Sequence, residues 1–131
     1  MPFDFQNDTA FTGDQKRTNY HAGFSAEQAV ARQYCDAGAV VLETRWRGRC
    51  GEIDLILSDR GRVVFVEVKK SRTHAQALQR LTPRQVGRIL LSAEDYLGRC
   101  PTGSLTESRL DVALVDAQGT IEILPNASMM L

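Results

Sequence analysis

Hydrophobic positions alternate with polar ones in some stretches of the chain and recur every three to four residues in others, which predicts strands and helices respectively. Ala26, Val30, Tyr34 and Ala37 form a helical stripe that Gly38 stops, and Ser25 with Gln28 reads as a capping box that opens it. Residues 39–43 read as a first strand, followed by the loop Arg45-Trp46-Arg47-Gly48-Arg49. Strands over about 52–57 and 62–69 flank Ser58-Asp59-Arg60-Gly61, turn chemistry that predicts a hairpin and antiparallel pairing. Residues 71–80 are polar and aperiodic and are expected to be a loop. Thr82-Pro83-Arg84-Gln85 supplies an N-cap, a first-turn proline and a second capping box. The helix behind it carries Val86, Ile89, Leu90, Ala93, Tyr96 and Leu97 on its apolar side and ends at Gly98. Two further strands, over 110–115 and 120–124, are joined by the turn Asp116-Ala117-Gln118-Gly119. Residues 1–22 lack periodicity and are expected to form a disordered or loosely attached arm, leaving 23–131 as a single domain. The expected class is α/β, a mixed sheet of about five strands flanked by two helices in the order α-β-β-β-α-β-β.

Side chains alternate along a strand, so Glu52, Asp54 and Ile56 are expected on one face, opposite Ile53, Leu55 and Leu57. In the next strand Val63, Phe65, Glu67 and Lys69 oppose Val64, Val66 and Val68. Each strand thus buries one apolar row and ends its other row in charge. Three carboxylates and an ammonium converging at the end of an apolar sheet are costly to desolvate unless a cation pairs with them, and a divalent metal ion is suited to that place. In outline this is a site for metal-dependent phosphodiester cleavage. Glu27 sits on the rim of the first helix's inward stripe, within reach of a site at the edge of the core.

A chain of 131 residues makes one ordinary domain. No apolar run approaches the roughly 20 residues that a membrane-spanning helix needs. Asp4, Asp8 and Asp14 are out of place in a secretory signal, so the expected location is the cytoplasm. Cys35, Cys50 and Cys100 form no Cys-x-x-Cys pair and indicate neither disulfides nor zinc. A net charge of zero argues against nucleic-acid binding until its distribution is considered. From Arg45 to Arg88 eleven lysines or arginines face only Glu52, Asp54, Asp59 and Glu67, so a positive surface can surround a negative pocket.

Several segments in order carry a likeness: Gly23 with Ser25-Ala26-Glu27, Trp46-Arg47 before Gly51-Glu52-Ile53-Asp54, Phe65-Val66-Glu67-Val68-Lys69, Thr82-Pro83 with Ala93 and Tyr96-Leu97, and Arg109-Leu110-Asp111-Val112. In these the chain resembles the PD-(D/E)XK, restriction-endonuclease-like superfamily, and within it the YraN-like family of small bacterial proteins. Gln85 stands where that family more often places a lysine. The resemblance implies that Asp54 and Glu67 ligate Mg²⁺ or Mn²⁺, that Glu27 completes the ligand shell directly or through water, and that Lys69 acts on the attacking water. Catalytic roles thus fall on Glu27, Asp54, Glu67 and Lys69. Arg45, Arg47, Arg49, Lys70, Arg72, Arg84 and Arg88 are expected to hold the backbone of DNA, with Trp46 stacking on an unpaired base.

The expected function is a nuclease acting on DNA, on branched or single-stranded forms among others, in repair, recombination or uptake. The alternative is a nucleic-acid-binding module of the same fold that cleaves little and works through protein partners; a third reading makes the charged cluster structural. Symmetric cutting of two strands would require a homodimer. Trp46 has a competing reading as a packing residue, Glu52 as a turn cap or arginine partner, and Arg109 with Asp111 as a structural pair on an inner strand. His21 and His74 read as surface residues.

Overall fold

A computed structural model of the chain describes residues 15–127. It contains the helices α1 (Gln15–Asp36), α2 (His74–Gln79) and α3 (Pro83–Leu97), and the strands β1 (Val40–Arg47), β2 (Glu52–Asp59), β3 (Arg62–Lys70), β4 (Ser108–Val115) and β5 (Ile121–Leu124). The strands form one sheet in the order β1-β2-β3-β4-β5. Only β3 and β4 are parallel; the other three pairings are antiparallel. A parallel pair needs a crossover connection, and α2 and α3 supply it.

The two faces of the sheet are covered by different helices. Ala26, Val30, Ala31 and Tyr34 of α1 pack on Leu55, Leu57, Val64, Val66, Ala113 and Val115. Val86, Ile89 and Ala93 of α3 pack on Ile53, Ile56, Val63, Phe65 and Leu110 on the opposite face, where Ala77 of α2 covers Val112 and Leu114. Burial on both faces explains why β3 and β4 read as nearly continuous apolar runs rather than as clean alternation.

Local chemistry sets the connections. Arg60 and Gly61 take φ values of 55° and 83°, so the β2–β3 hairpin turns tightly between the paired residues Asp59 and Arg62. Thr82 caps α3 through the Gln85 amide, Gln85 caps back onto the Thr82 amide, and Gly98 closes the helix. No helix among the described residues is long and apolar enough to cross a membrane.

Four expectations are corrected. Residues 15–22 are helical, so α1 begins before Ser25, and Ser25 and Gln28 lie inside it rather than at its cap. Once a helix exists, each added residue gains a hydrogen bond, so polar residues such as Gln15, Lys16 and Arg17 extend it without any apolar period. The remainder of the expected arm, residues 1–14, lies outside the described residues. Second, β1 runs on through Arg45, Trp46 and Arg47; as an edge strand it tolerates the arginines that made this stretch read as a loop. Third, residues 71–80 include α2, whose N-cap Thr73 accepts from the Gln76 amide at 3.1 Å. Its six residues are fewer than two turns, too few to show a period.

The fourth correction concerns β2. Ile53 packs with Ile56 on the α3 face, while Leu55 and Leu57 pack against α1. The alternation therefore resets at Asp54, and that break shapes the site.

Candidate active site

β2 and β3 pair from Asp59 opposite Arg62 up to Leu55 opposite Val66, and there the pairing ends. β3 continues to Lys70 on the support of β4 alone. Past the fork, the Val68 amide donates to Asp54 Oδ2 at 2.8 Å, so a side chain replaces the missing strand carbonyl. That bond holds the Asp54 carboxylate between the splayed strands. Glu67 and Lys69, on the α3 side of β3, meet it there. Lys69 Nζ lies 3.3 Å from Glu67 Oε2, and both side chains are only 12% exposed. The Asp54 and Glu67 carboxyls also hydrogen-bond to each other, which brings their oxygens within reach of a single ion.

Glu27 approaches from α1. Its Oε1 accepts from Arg45 Nε at 3.0 Å, and burial, followed by repulsion from Asp54, pushes its pKa up to about 7 despite the arginine. Arg45 itself takes φ 48°, a left-handed conformation that costs a residue with a Cβ about 1–2 kcal/mol. Glu52 lies at the mouth of the site. With Glu67, Cys50, Gln85 and Arg88 it lines a cavity of about 180 Å³.

Burial, and after it the charge of Asp54, pushes Glu67 up to about 8, outweighing Lys69; Asp54 is raised too, chiefly by burial. A buried carboxyl pushed up to about 8, as Glu67 is, holds its proton at neutral pH unless a cation replaces it. A folded-state pKa of about 8 for Glu67, against an ordinary 4.5, contributes stability that is complete below pH 4.5 and is lost as pH rises through 8. The stability of the protein in chelator should therefore fall between pH 5 and pH 8 by on the order of 2–4 kcal/mol, and its melting temperature with it. Mg²⁺ or Mn²⁺ should restore it at pH 8, where the ion binds the folded form. Differential scanning fluorimetry with and without metal checks both statements; a pH-independent melting temperature that metal does not move would contradict them.

The donor set fits a hard divalent ion: oxygen ligands, two of them adjacent, with the remaining positions open to water and phosphate. Among the described residues no three His, Cys, Asp or Glu side chains form a ready-made metal cage. Asp54 and Glu67 thus form the pair that would hold the ion, with Glu27 standing outside it on Arg45.

Of the basic residues expected around the site, Arg88 lines the cavity, and Arg84 is exposed in the first turn of the same helix. Arg47 is exposed at the end of β1, paired in register with Glu52. Lys70 ends β3, where its carbonyl accepts from Arg80, and Arg72 is exposed just beyond. Arg49 is turned to α3: its Nε lies 2.6 Å from Asp95 Oδ1, and its amide donates to Oδ2 at 2.8 Å, holding the Asp95 carboxyl below its usual range. Trp46 is a packing residue. Its ring meets Tyr96 edge-on at 5.3 Å, and the Arg99 guanidinium lies over it at 5.2 Å. Gly48 sits so close to Ser92 and the Trp46 ring that a Cβ would come within 2.9 Å of both, so the β1–β2 turn is packed tightly on α3. Arg109 and Asp111 form the expected structural pair at 3.0 Å. His74 is tied to the Thr120 carbonyl at 2.9 Å, and the side chain of His21 lies outside the described residues.

Sequence reasoning missed the Glu27–Arg45 pair, the Val68 amide on Asp54, and Cys50 and Gln85 in the cavity wall. The third is traceable to the capping box, which fixes the direction in which Gln85 leaves the helix.

A mixed sheet between α1 and α3, with an acid, a second acid and a lysine at the parting of its two central hairpin strands, is the architecture of the restriction-endonuclease-like proteins. The chain belongs to the uncharacterised protein family UPF0102, the YraN family, whose model matches residues 26–115. It is similar to a UPF0102 protein of Cereibacter sphaeroides, 54% identical over 83% of this chain and 93% of the relative. A UPF0102 protein of Roseobacter denitrificans is 51% identical over 85% of this chain and 86% of the relative. One from Ruegeria pomeroyi is 50% identical over 83% and 89%.

Proposed function

We propose that the protein is a Mg²⁺- or Mn²⁺-dependent nuclease of the cytoplasm that hydrolyses phosphodiester bonds in DNA. The observation that carries the reading is the fork: Asp54 and Glu67 in mutual contact, Lys69 against Glu67, and an open cavity bordered by Arg88. When bound to the two carboxylates, a divalent ion supplies Lewis acidity to the scissile phosphoryl group. The residues of the chain do the rest. The Val68 amide fixes Asp54, Glu67 orients the Lys69 ammonium, and Lys69 donates a hydrogen bond that aligns the attacking water. Arg88 and the exposed Arg84 and Arg47 hold the flanking phosphates.

A second reading, a DNA-binding module with little catalysis, is favoured by one feature: Glu27, Asp54 and Glu67 each already have a hydrogen-bond or ion-pair donor within the protein. Incubation of the purified protein with labelled duplex, single-stranded, flap and four-way-junction DNA, in Mg²⁺, Mn²⁺ or chelator, separates the two. Metal-dependent product from any of them supports the nuclease. Tight binding without product in either metal supports the module, and absence of both leaves the cluster structural.

The cation on the cavity wall gives a further expectation. If Arg88 contacts a phosphate, Arg88→Ala should flatten the slope of log affinity against log salt by about 0.7–0.9. Fluorescence anisotropy across a salt series measures it, and an unchanged slope removes α3 from the binding face.

A further inference from the structure

Each of the three acids at the fork has its own donor: the Val68 amide for Asp54, Lys69 for Glu67 and Arg45 for Glu27. Arg45 is the unusual member. It stands in a strand with φ 48°, in the left-handed region that side chains other than those of asparagine and aspartate avoid. Its neighbours Thr44 and Trp46 pair with Leu55 and Ile53, which places Arg45 directly across from Asp54. A residue so strained persists only where its surroundings hold it, and such residues gather at functional sites. Here the holding contact includes an ion pair to a different element, the Glu27 carboxylate of α1, with the arginine still 28% exposed to the solvent side.

An arginine bound to Glu27 occupies one carboxylate oxygen and adds a positive charge beside the pair that would take a divalent ion. Both effects oppose metal binding. The guanidinium fork matches a phosphate as well as a carboxylate, so a phosphate arriving at the rim can compete with Glu27 for it. We propose that Arg45 is a substrate-sensing positioning residue: it keeps Glu27 off the Asp54–Glu67 pair until a DNA phosphate draws the guanidinium away, and Glu27 then completes the donor set of the ion. The proposal rests on the nuclease reading above. It accounts for the lack of a three-acid cage among the described residues, although Glu27 lies close enough to feel the charge of Asp54. It also makes DNA and metal tighten each other's binding by the same factor, since both depend on one arginine.

The test is a Mn²⁺ titration of the full chain followed by electron paramagnetic resonance of the free ion. It is run with and without a duplex bearing hydrolysis-resistant phosphorothioate linkages, with ions held by that DNA alone subtracted. DNA is expected to tighten Mn²⁺ binding to the wild type at least roughly fivefold. Arg45→Asn keeps a residue that tolerates positive φ and so preserves the fold. It should bind Mn²⁺ about fivefold more tightly than wild type without DNA, and should gain nothing when DNA is added. Adding Glu27→Gln should cancel that gain. An Arg45→Asn protein whose Mn²⁺ affinity equals or falls below that of the wild type overturns the proposal while leaving the metal site intact. A wild type that takes no Mn²⁺ in either condition overturns the metal-site reading itself, and this proposal with it.

Discussion

Lys69→Ala is expected to slow metal-dependent DNA cleavage by about 10²–10⁴-fold, with DNA affinity changed by no more than a few-fold. Lys69 is placed for this effect by two independent supports. Its strand is held by β4 where β2 has departed, and its ammonium is held 3.3 Å from Glu67 in a setting only 12% exposed. A donor immobilised and shielded from water in this way acts on the transition state without reorganising, which is why its loss should appear in the rate constant rather than in binding. Lys69→Met, which keeps the apolar stem, should lose as much as the alanine variant and so separates the charge from the packing. Single-turnover cleavage with enzyme in excess measures both. A rate within threefold of wild type would remove Lys69 from the chemistry.

Asp111→Ala should be the most destabilising single change away from the site, lowering stability by about 3–5 kcal/mol. The Asp111 side chain is fully buried, accepting from Tyr34 Oη at 2.7 Å, Arg109 Nε at 3.0 Å and the Asn126 amide at 3.2 Å. It thereby ties α1, β4 and the segment after β5 into one network. Burial and the nearby Asp111 raise the Tyr34 phenol well above its ordinary range, so it remains a donor at every physiological pH. Removing the carboxylate leaves that hydroxyl unsatisfied and Arg109 with Asp59 at 4.0 Å as its remaining acidic neighbour. Breaking a buried pair by deleting one partner is costlier than replacing both. The melting temperature should drop by roughly 10–20 °C, while Asp111→Asn, which still accepts hydrogen bonds, should lose clearly less. Equal loss in the two variants would show that the network depends on the carboxylate charge and not on a side chain of that shape that accepts hydrogen bonds.

These two sites differ in how far the sequence disclosed them. The helix from Pro83 to Leu97 was legible to the residue, because proline, the Thr82–Gln85 capping box and a long apolar stripe all point to one structure. The β2–β3 hairpin was legible for the same reason, its turn residues agreeing with the alternation on either side. The alternation itself misled at Asp54, since a strand that leaves its neighbour no longer obeys the pleat of that neighbour, and nothing in Ile53-Asp54-Leu55 announces the departure. The pairing of acids across the hairpin survived the error because Val68 draws Asp54 back toward β3. Arg45, Trp46 and Arg49 were grouped as one cationic loop on proximity in the chain. The fold sends Arg45 to Glu27 of α1, and Trp46 and Arg49 to Tyr96 and Asp95 of α3. The partner of a surface arginine is a tertiary fact that local spacing does not encode.

The most direct test of the metal site is an anomalous difference map from crystals of the protein grown with Mn²⁺ at neutral pH. The expected result is one strong peak bridging the Asp54 and Glu67 carboxylates, lost in Asp54→Asn crystals grown in the same condition. A map with no peak at that fork under saturating Mn²⁺, or with peaks only elsewhere on the surface, would contradict the assignment of this acid pair as a metal centre.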